Sequence, residues 1–424
     1  MEASTSYQDV LRFIEGMEIV DSHEHLPFER DRVAMPVDFS TLFSHYCRDD
    51  LGASGMSVAA LNAFTNPATP LDEKWRLFEP HYRLIQDGGY CRAAQIAMER
   101  FYGHATLTSL ADAEAVTDAI RKANVPGLYR NVLREACGIR LSLNYGGVDH
   151  DPEFFRPVVY VSGHCAVTKQ AILDMEDRLG ASCGSLPGYV DGVFRDMHHA
   201  KERGAVGFKF DSAYMRDLHF KPRTQAEAES VYNRILEEGY GWRDSAIGYD
   251  ERRPLQDYLV HRVVEEAGTM GLPVVFHSGI QAAFRHNPDD SRPLRLWNLP
   301  HRYRKTRFVI LHAGMPWVED AALLAKSYSN VFLDLAWDNV ISPEIATRAL
   351  GNLIDTVPMN KINGFGGDYC VVEKVYGHLT LARRNIARAL SAKVDAGAMP
   401  MSRAHAWAQA LLVDNPIQMF ALDL

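Results

Sequence analysis

Paired cysteines are missing from this chain. Its six cysteines, Cys47, Cys91, Cys137, Cys165, Cys183 and Cys370, are spread over 424 residues without CxxC spacing. That pattern argues against a disulfide framework or a thiolate zinc site and for reduced, mostly buried thiols. Long apolar runs are missing too: no stretch of about 18 residues could span a bilayer. The opening MEASTSYQDVLRFIEG has no basic stretch followed by an apolar core, so it does not read as a signal peptide. A soluble, cytoplasmic protein with no membrane partner is expected. Positive charge is in deficit, with 45 Lys and Arg against 54 Asp and Glu, a formal net charge of -9. Phosphate binding draws its affinity from basic charge, so nucleic acid is not an expected partner and a small molecule is. Internal repeats and low-complexity tracts are absent, which removes solenoid and fibrous readings.

What is present is a recurring unit, an apolar run that ends in polar or glycine residues. Eight such runs occur: EIVDSHEH (Glu18–His25), GIRLSLNY (Gly138–Tyr145), RPVVYVSG (Arg156–Gly163), AVGFKFD (Ala205–Asp211), LPVVFHSG (Leu272–Gly279), RFVILHAG (Arg307–Gly314), NVFLDLAW (Asn330–Trp337) and KINGFGGD (Lys361–Asp368). Amphipathic helical patterns precede several of them, such as LQDYLVHRVVEEAGTMG and PWVEDAALLAKSYS. Gly271 and Asn330 sit where helix C-caps are expected. Strands alternating with helices imply a parallel sheet, and eight units suggest closure into an α/β (β/α)8 TIM barrel. A doubly wound open sheet is the alternative, but no glycine-rich phosphate loop follows any run. The barrel is expected to be distorted, a single domain over 1–424, with a helical insertion after the first strand at about 30–125. A long connection from Ser212 to about Glu251 and C-terminal helices complete it.

The run ends carry the chemistry. In an extended strand residues i and i+2 share a face, so His23 and His25 project together. By itself a His-x-His pair is as well read as a polar strand end. Lys209 lies in the fourth run, His277 in the fifth, His312 in the sixth and Asp368 at the end of the eighth, on the face where barrel active sites are built. A barrel gathers these ends into one ring, so His23, His25, His277 and Asp368 can converge. Imidazole nitrogen and carboxylate oxygen suit zinc and similar ions, and fewer protein ligands than full coordination leaves room for water.

The motifs DSHEHL, GFKF, VVFHSGI, VILHAGMPWVEDAALLAKSYSNVFLDLAW and GFGGDY resemble the amidohydrolase superfamily, particularly its amidohydrolase-2 type metal-dependent hydrolases. In the helical insertion, KWRLFEPHYRLI and GYCRAAQIAMERFYG resemble the amidohydrolase domain of glutamine-synthetase-like fusions and, more distantly, uronate isomerases, so the resemblance covers nearly the whole chain. It implies one divalent metal on His23, His25, His277 and Asp368, zinc first and manganese, iron or nickel as alternatives. His312 is then close by as a catalytic group or second metal ligand. Lys209 is open: carbamylated and bridging two metals, an ammonium binding a substrate carboxylate, or a packed lysine paired with Asp211. The single-metal form leads.

A Lewis-acidic ion lowers the pKa of bound water toward neutrality, with Asp368 as general base and His312 polarising the carbonyl or stabilising the oxyanion. The leading reading is hydrolysis of a C–N or C–O bond (amide, lactone or ester) in a small anionic or polar molecule. Its rivals are a decarboxylase or uronate-type isomerase with the same ligands, and a non-catalytic metal-binding scaffold, whose mark would be a missing ligand. None is missing. Trp337 and Arg285 are substrate-binding candidates, against core packing for Trp337 and solvated loop charge for Arg285 and the adjacent His286. Asp334 is a candidate hydrogen-bond support. His45, His81, His104, His198, His199, His219 and His301 are read as surface or structural. Arg216, Arg223, Arg243, Arg252, Arg253, Tyr214 and Tyr240 hint at an acidic or polyhydroxylated substrate. The apolar C-terminal IQMFALDL packs on the barrel or on a second subunit, so a homo-oligomer is possible.

Overall fold

The computed structural model describes residues 4–237, 247–283 and 286–424. Each of the eight runs forms a strand: β1 (Ile19–Glu24), β2 (Ile139–Gly146), β3 (Phe155–Tyr160), β4 (Gly207–Phe210), β5 (Val274–Phe276), β6 (Phe308–Leu311), β7 (Val331–Asp334) and β8 (Ile362–Asn363). They pair in parallel in sequence order. The ring is drawn shut past the end of β8, where the chain runs beside β1. There Ser22 N–H donates to the Phe365 carbonyl (3.1 Å), Asp368 N–H to His23 (2.7 Å) and His25 N–H to Tyr369 (3.0 Å).

Alternation along the strands sorts the core. Val20, Leu141, Leu143, Val158, Val275, Val309 and Leu311 fill the barrel. Phe208, Phe210, Val274, Phe276, Phe308 and Ile310 face the surrounding helices. The C-terminal segment closes the barrel interior: Met419, Phe420 and Leu422 pack against those inner side chains of the same chain. Gly271 caps the helix Arg253–Met270 in the left-handed conformation, as expected. Asn330 does not cap its helix, which ends at Ser327 with Tyr328 as its cap. Instead its amide donates to the carbonyls of Pro300, Tyr303 and Thr306, tying the preceding turns to the start of β7.

Between β1 and β2 lies the expected helical insertion, with helices Glu29–Ala34, Tyr46–Ala53, Val58–Thr65, Leu71–Ile85, Gly89–Tyr102 and Leu110–Ala123. The long helix Val372–Asp395 holds it to the barrel and comes so close to Gly89–Tyr102 that a Cβ on Gly377 would lie 1.9 Å from the Ala93 carbonyl oxygen. No helix among the described residues is long and apolar enough to cross a membrane.

The closing seam is equally tight. A Cβ on Gly366 would fall 2.6 Å from the Ala336 Cβ and 2.7 Å from that of His23, so no side chain fits between β1 and β7 there. Overpacking of this kind costs about 1–3 kcal/mol. Gly366→Ala is expected to lower the unfolding free energy by that amount, read as a lower urea midpoint at unchanged m-value, whereas Gly351→Ala, where a Cβ meets open space, should not lower it.

Candidate metal centre

The seam brings Asp368 against the two histidines of β1. His23 Nε2 and His25 Nε2 are 3.2 Å apart, and Asp368 Oδ1 lies 3.5 Å from the first and 3.1 Å from the second. His25 Nδ1 is 3.0 Å from the Tyr145 carbonyl, which can only accept, so Nδ1 carries the proton and Nε2 presents a lone pair. Buried His23 stacks on the Tyr145 ring at 3.7 Å, and its Nδ1 has no partner among the described residues. Two nitrogens and a carboxylate oxygen within 4.8 Å of one another are a donor set suited to a divalent ion.

A second pair faces the other carboxylate oxygen. His277 Nε2 donates to the Ile280 carbonyl (2.9 Å) and His312 Nδ1 to the Ala336 carbonyl (2.8 Å). Their inward nitrogens, His277 Nδ1 and His312 Nε2, are therefore both lone pairs, 3.2 Å apart. His312 Nε2 is 3.8 Å from Asp368 Oδ2. Burial holds His277 well below the ordinary imidazole value and lowers His312 to about 4, so these rings stay neutral. Facing lone pairs repel unless a cation lies near them, so this pair also fits a metal. His277 does not join the tight trio of His23, His25 and Asp368, and its place is on the cavity wall beside it.

The electrostatics are those of a buried carboxylate ringed by imidazoles. Burial pushes Asp368 upward, but attraction to His23, His25 and His312 when these carry a proton outweighs it and holds the carboxyl well below the usual carboxylate range. Lys209, inward on β4, is lowered to about 8 by burial, against the pull of Asp368, Asp211 and Asp334. Its ammonium lies 5.3 Å from the Tyr145 ring centroid. Among the described residues no ion pair joins it to Asp211, so the packed, paired lysine is not what the fold builds. The desolvated surroundings that carbamylation requires, invisible in GFKFD, are present. Below the trio, Asp21 Oδ1 accepts from the N–H groups of His23 (3.0 Å) and Gly367 (3.3 Å), which orients both sides of the seam. Asp334 accepts from Ser22 Oγ (2.9 Å), Asn363 Nδ2 (3.0 Å) and Ala336 N–H (2.8 Å), so it supports β1, β7 and β8.

His23, His25, Lys209, His277 and Asp368 line a cavity of about 390 Å³, with His312, Asp21 and Asp334 packed behind its wall. Several of its walls were not legible in the sequence. His45 and Tyr46 come from the insertion, and His286 from the loop after β5. His45 was expected to be structural or on the surface. It is half-buried in the wall at φ 57°, a left-handed backbone that sequence pattern does not signal. Of the described members of the Arg- and Tyr-rich set, only Tyr214 reaches the cavity. Arg216 and Arg223 pair with Asp257 (2.7 and 3.2 Å) and Arg253 with Asp217 (2.9 Å), so they brace the connection after β4. Arg252 is buried and donates to the Val167 carbonyl. Trp337, expected to touch substrate, is not in the wall: it is buried, stacked on Tyr46 at 4.3 Å with its face edge-on to His312 at 5.2 Å. Tyr240, Arg243 and the substrate-binding candidate Arg285 lie outside the described residues.

An eight-stranded parallel barrel carrying imidazoles and a carboxylate at its strand ends is a metal-dependent TIM-barrel architecture. A family model described as Amidohydrolase matches residues 157–422, more than half of the chain, and the chain belongs to that family. The matched span includes Lys209, His277, His312 and Asp368 but not His23 or His25. Among solved structures, the chain is similar to the uronate isomerase of Thermotoga maritima, with 16% identity, TM-score 0.80 and coverage of 99% of this chain and 98% of that one. It is likewise similar to the glucuronate isomerase of Caulobacter crescentus, with 15% identity, TM-score 0.81 and coverage of 99% and 94%. At such identities the likeness establishes the fold. A curated relative, Protein fluG of Emericella nidulans, is 28% identical over 163 residues, which is 37% of this chain and 19% of that protein's length.

Removing one donor from the trio should release the metal. In His23→Ala and Asp368→Asn, elemental analysis after dialysis is expected to show at least about a tenfold loss of divalent metal per chain, with exposed His199→Ala unchanged. Retention in both variants would remove the site from this position.

Proposed function

We propose that the chain is a metal-dependent hydrolase that cleaves a C–N or C–O bond beside a carbonyl in a small anionic or polar molecule. One observation carries the reading: His23, His25 and Asp368 converge at the edge of a cavity whose wall also holds a buried ammonium, Lys209, which makes no ion pair among the described residues. A divalent ion held by that trio would supply Lewis acidity, lowering the pKa of water and polarising a carbonyl. With Oδ1 turned to the β1 histidines, Asp368 presents Oδ2 on the His312 side, where it can accept a proton from the attacking water. His312 presents a lone pair, so in its resting state it cannot donate to a carbonyl. It takes the proton from Asp368 and then donates it to the leaving nitrogen or oxygen. Water oxygen bonds to the carbonyl carbon, the C–N or C–O bond breaks, and the proton ends on the leaving atom. Lys209 holds a substrate carboxylate, and the Tyr160 and Tyr214 hydroxyls suit further polar groups.

Isomerisation is the second reading, favoured by three tyrosines, Tyr46, Tyr160 and Tyr214, around a cavity able to hold a polyhydroxylated chain, and by the fold shared with uronate isomerases along the whole chain. Decarboxylation uses the same donors. Product mass across a panel of lactones, amides, carboxylates and uronates separates them: hydrolysis adds one water, decarboxylation loses carbon dioxide, and isomerisation leaves the mass unchanged. No turnover by metal-loaded protein would support a scaffold instead. Metal content near one ion per chain supports the single-metal form; near two, with Lys209→Met reverting to one, supports the carbamylated bridge.

The ammonium also sets a pH dependence. Lys209 is charged below its value of about 8 and neutral above it, so affinity for an anionic competitive ligand is expected to fall as pH rises from 7 to 9, by up to about tenfold per unit at the steepest. Lys209→Met should bind more weakly at pH 7 and lose that slope; a slope that survives the substitution assigns it to another group.

A further inference from the structure

On the far side of His25 lies a second and larger chamber, of about 480 Å³, between the barrel and the helical insertion. His25 lines both chambers, so the two adjoin at this residue. The two differ in chemistry. The first is walled by histidines, tyrosines and Lys209. The second exposes mostly apolar surface, from Pro27, Met35, Pro36, Val37 and Val371 among others, with the serine and threonine side chains of Ser40, Thr41, Ser44 and Thr65 also in its wall. Its charged members are already engaged with one another or with neighbours: Lys74 with Asp38 at 2.5 Å and Arg32 with Glu373 at 2.8 Å. An apolar chamber of this size suits an aryl ring or a short alkyl chain. Met35 and Pro36 are exposed at its rim, so it communicates with solvent.

We propose that the substrate is two-sided: a small carboxylate-bearing head lies in the polar cavity, and an apolar acyl or aryl limb passes His25 into the insertion chamber. This rests on the reading that the reaction occurs at His23, His25 and Asp368. The insertion then sets specificity, because it supplies most of the limb's chamber, while the barrel supplies the chemistry. Burial of a ring-sized apolar limb contributes to affinity in proportion to the area withdrawn from water.

The probes are N-benzoylglycine and N-acetylglycine, which share carboxylate and amide and differ only in the limb. By titration calorimetry on metal-loaded protein, N-benzoylglycine is expected to bind about tenfold or more tighter. Met35→Trp, at the exposed rim, and Val371→Phe, deeper in, should each reduce that preference at least about threefold by occupying the chamber, leaving N-acetylglycine affinity unchanged. Thermal melts confirm that each variant is folded, and Met35 is exposed enough for its variant to fold even where the deeper one does not. Equal binding of the two probes, binding of neither, or a preference that survives Met35→Trp and Val371→Phe overturns the proposal. Parallel loss of both probes would make the chamber an access route and overturns it as well. N-benzoylglycine binding that persists undiminished in Lys209→Met describes an independent apolar site, and also overturns it. The outcomes are separable from the reaction class: a limb preference erased by the fillings without any hydrolysis leaves the two-sided site standing and removes the hydrolase reading, and hydrolysis without limb preference does the reverse.

Discussion

The constraint on which the rest depends is the seam where the first and last strands meet. Three backbone hydrogen bonds, from Ser22, His25 and Asp368, join β1 to the segment after β8. That contact closes the barrel and in the same stroke sets a carboxylate against two imidazoles. Gly366 and Gly367 make it possible: a Cβ on the second would lie 1.9 Å from Glu24 Oε1. Beneath it Asp21 and Glu24 are buried together, and burial raises Asp21 to about 7 and Glu24 well above the ordinary carboxyl value. Two acids sharing so dry a site favour proton retention, which lets them act as hydrogen-bonding struts rather than as repelling charges. Ligand geometry and barrel closure are therefore one structural event.

Around the seam the backbone departs repeatedly from ordinary conformations. His45, Ala283, His312, Ala313, Trp337 and Asp368 all have positive φ. Each such residue costs free energy that surrounding packing must offset, and such strain gathers at functional sites. His312 shows what it accomplishes. With Val309 and Leu311 in the barrel core, strict alternation would turn the next residue outward; the left-handed turn at His312 and Ala313 brings the imidazole into the ring instead. Trp337, packed edge-on to His312 and stacked on Tyr46, couples the β7 end to the insertion and fixes the orientation of both.

Much of the barrel was legible because its signals are local. An apolar run ending in polar residues encodes a buried parallel strand, and all eight runs are strands. The inward placement of Lys209 and His277 follows from period-two geometry at strand ends, whereas His23 is delivered across a register irregularity in β1 and Asp368 by the turn beyond β8. Less legible were groups whose position depends on contacts far along the chain. His45 lies on no strand end and reaches the cavity only because the insertion folds back across the barrel. The arginines after β4 carry the composition of a substrate loop, yet Asp257 and Asp217 claim three of them, and acids so distant in sequence give no sign of which cation they will meet. Trp337 ends a strand just as the ligands do, and only packing decides that its ring faces Tyr46 rather than the cavity.

The amino-acid sequence by itself determined the element order, the parallel barrel and the set of donor residues at strand ends, because hydrophobic periodicity and residue chemistry are properties of short segments. Tertiary structure alone decided which donors share a point, which nitrogens present lone pairs, and that Lys209 is desolvated. It also decided that an apolar chamber adjoins a polar one at His25. Those features arise from burial and from contacts between segments hundreds of residues apart, where dielectric surroundings and hydrogen-bond partners are set by the whole fold.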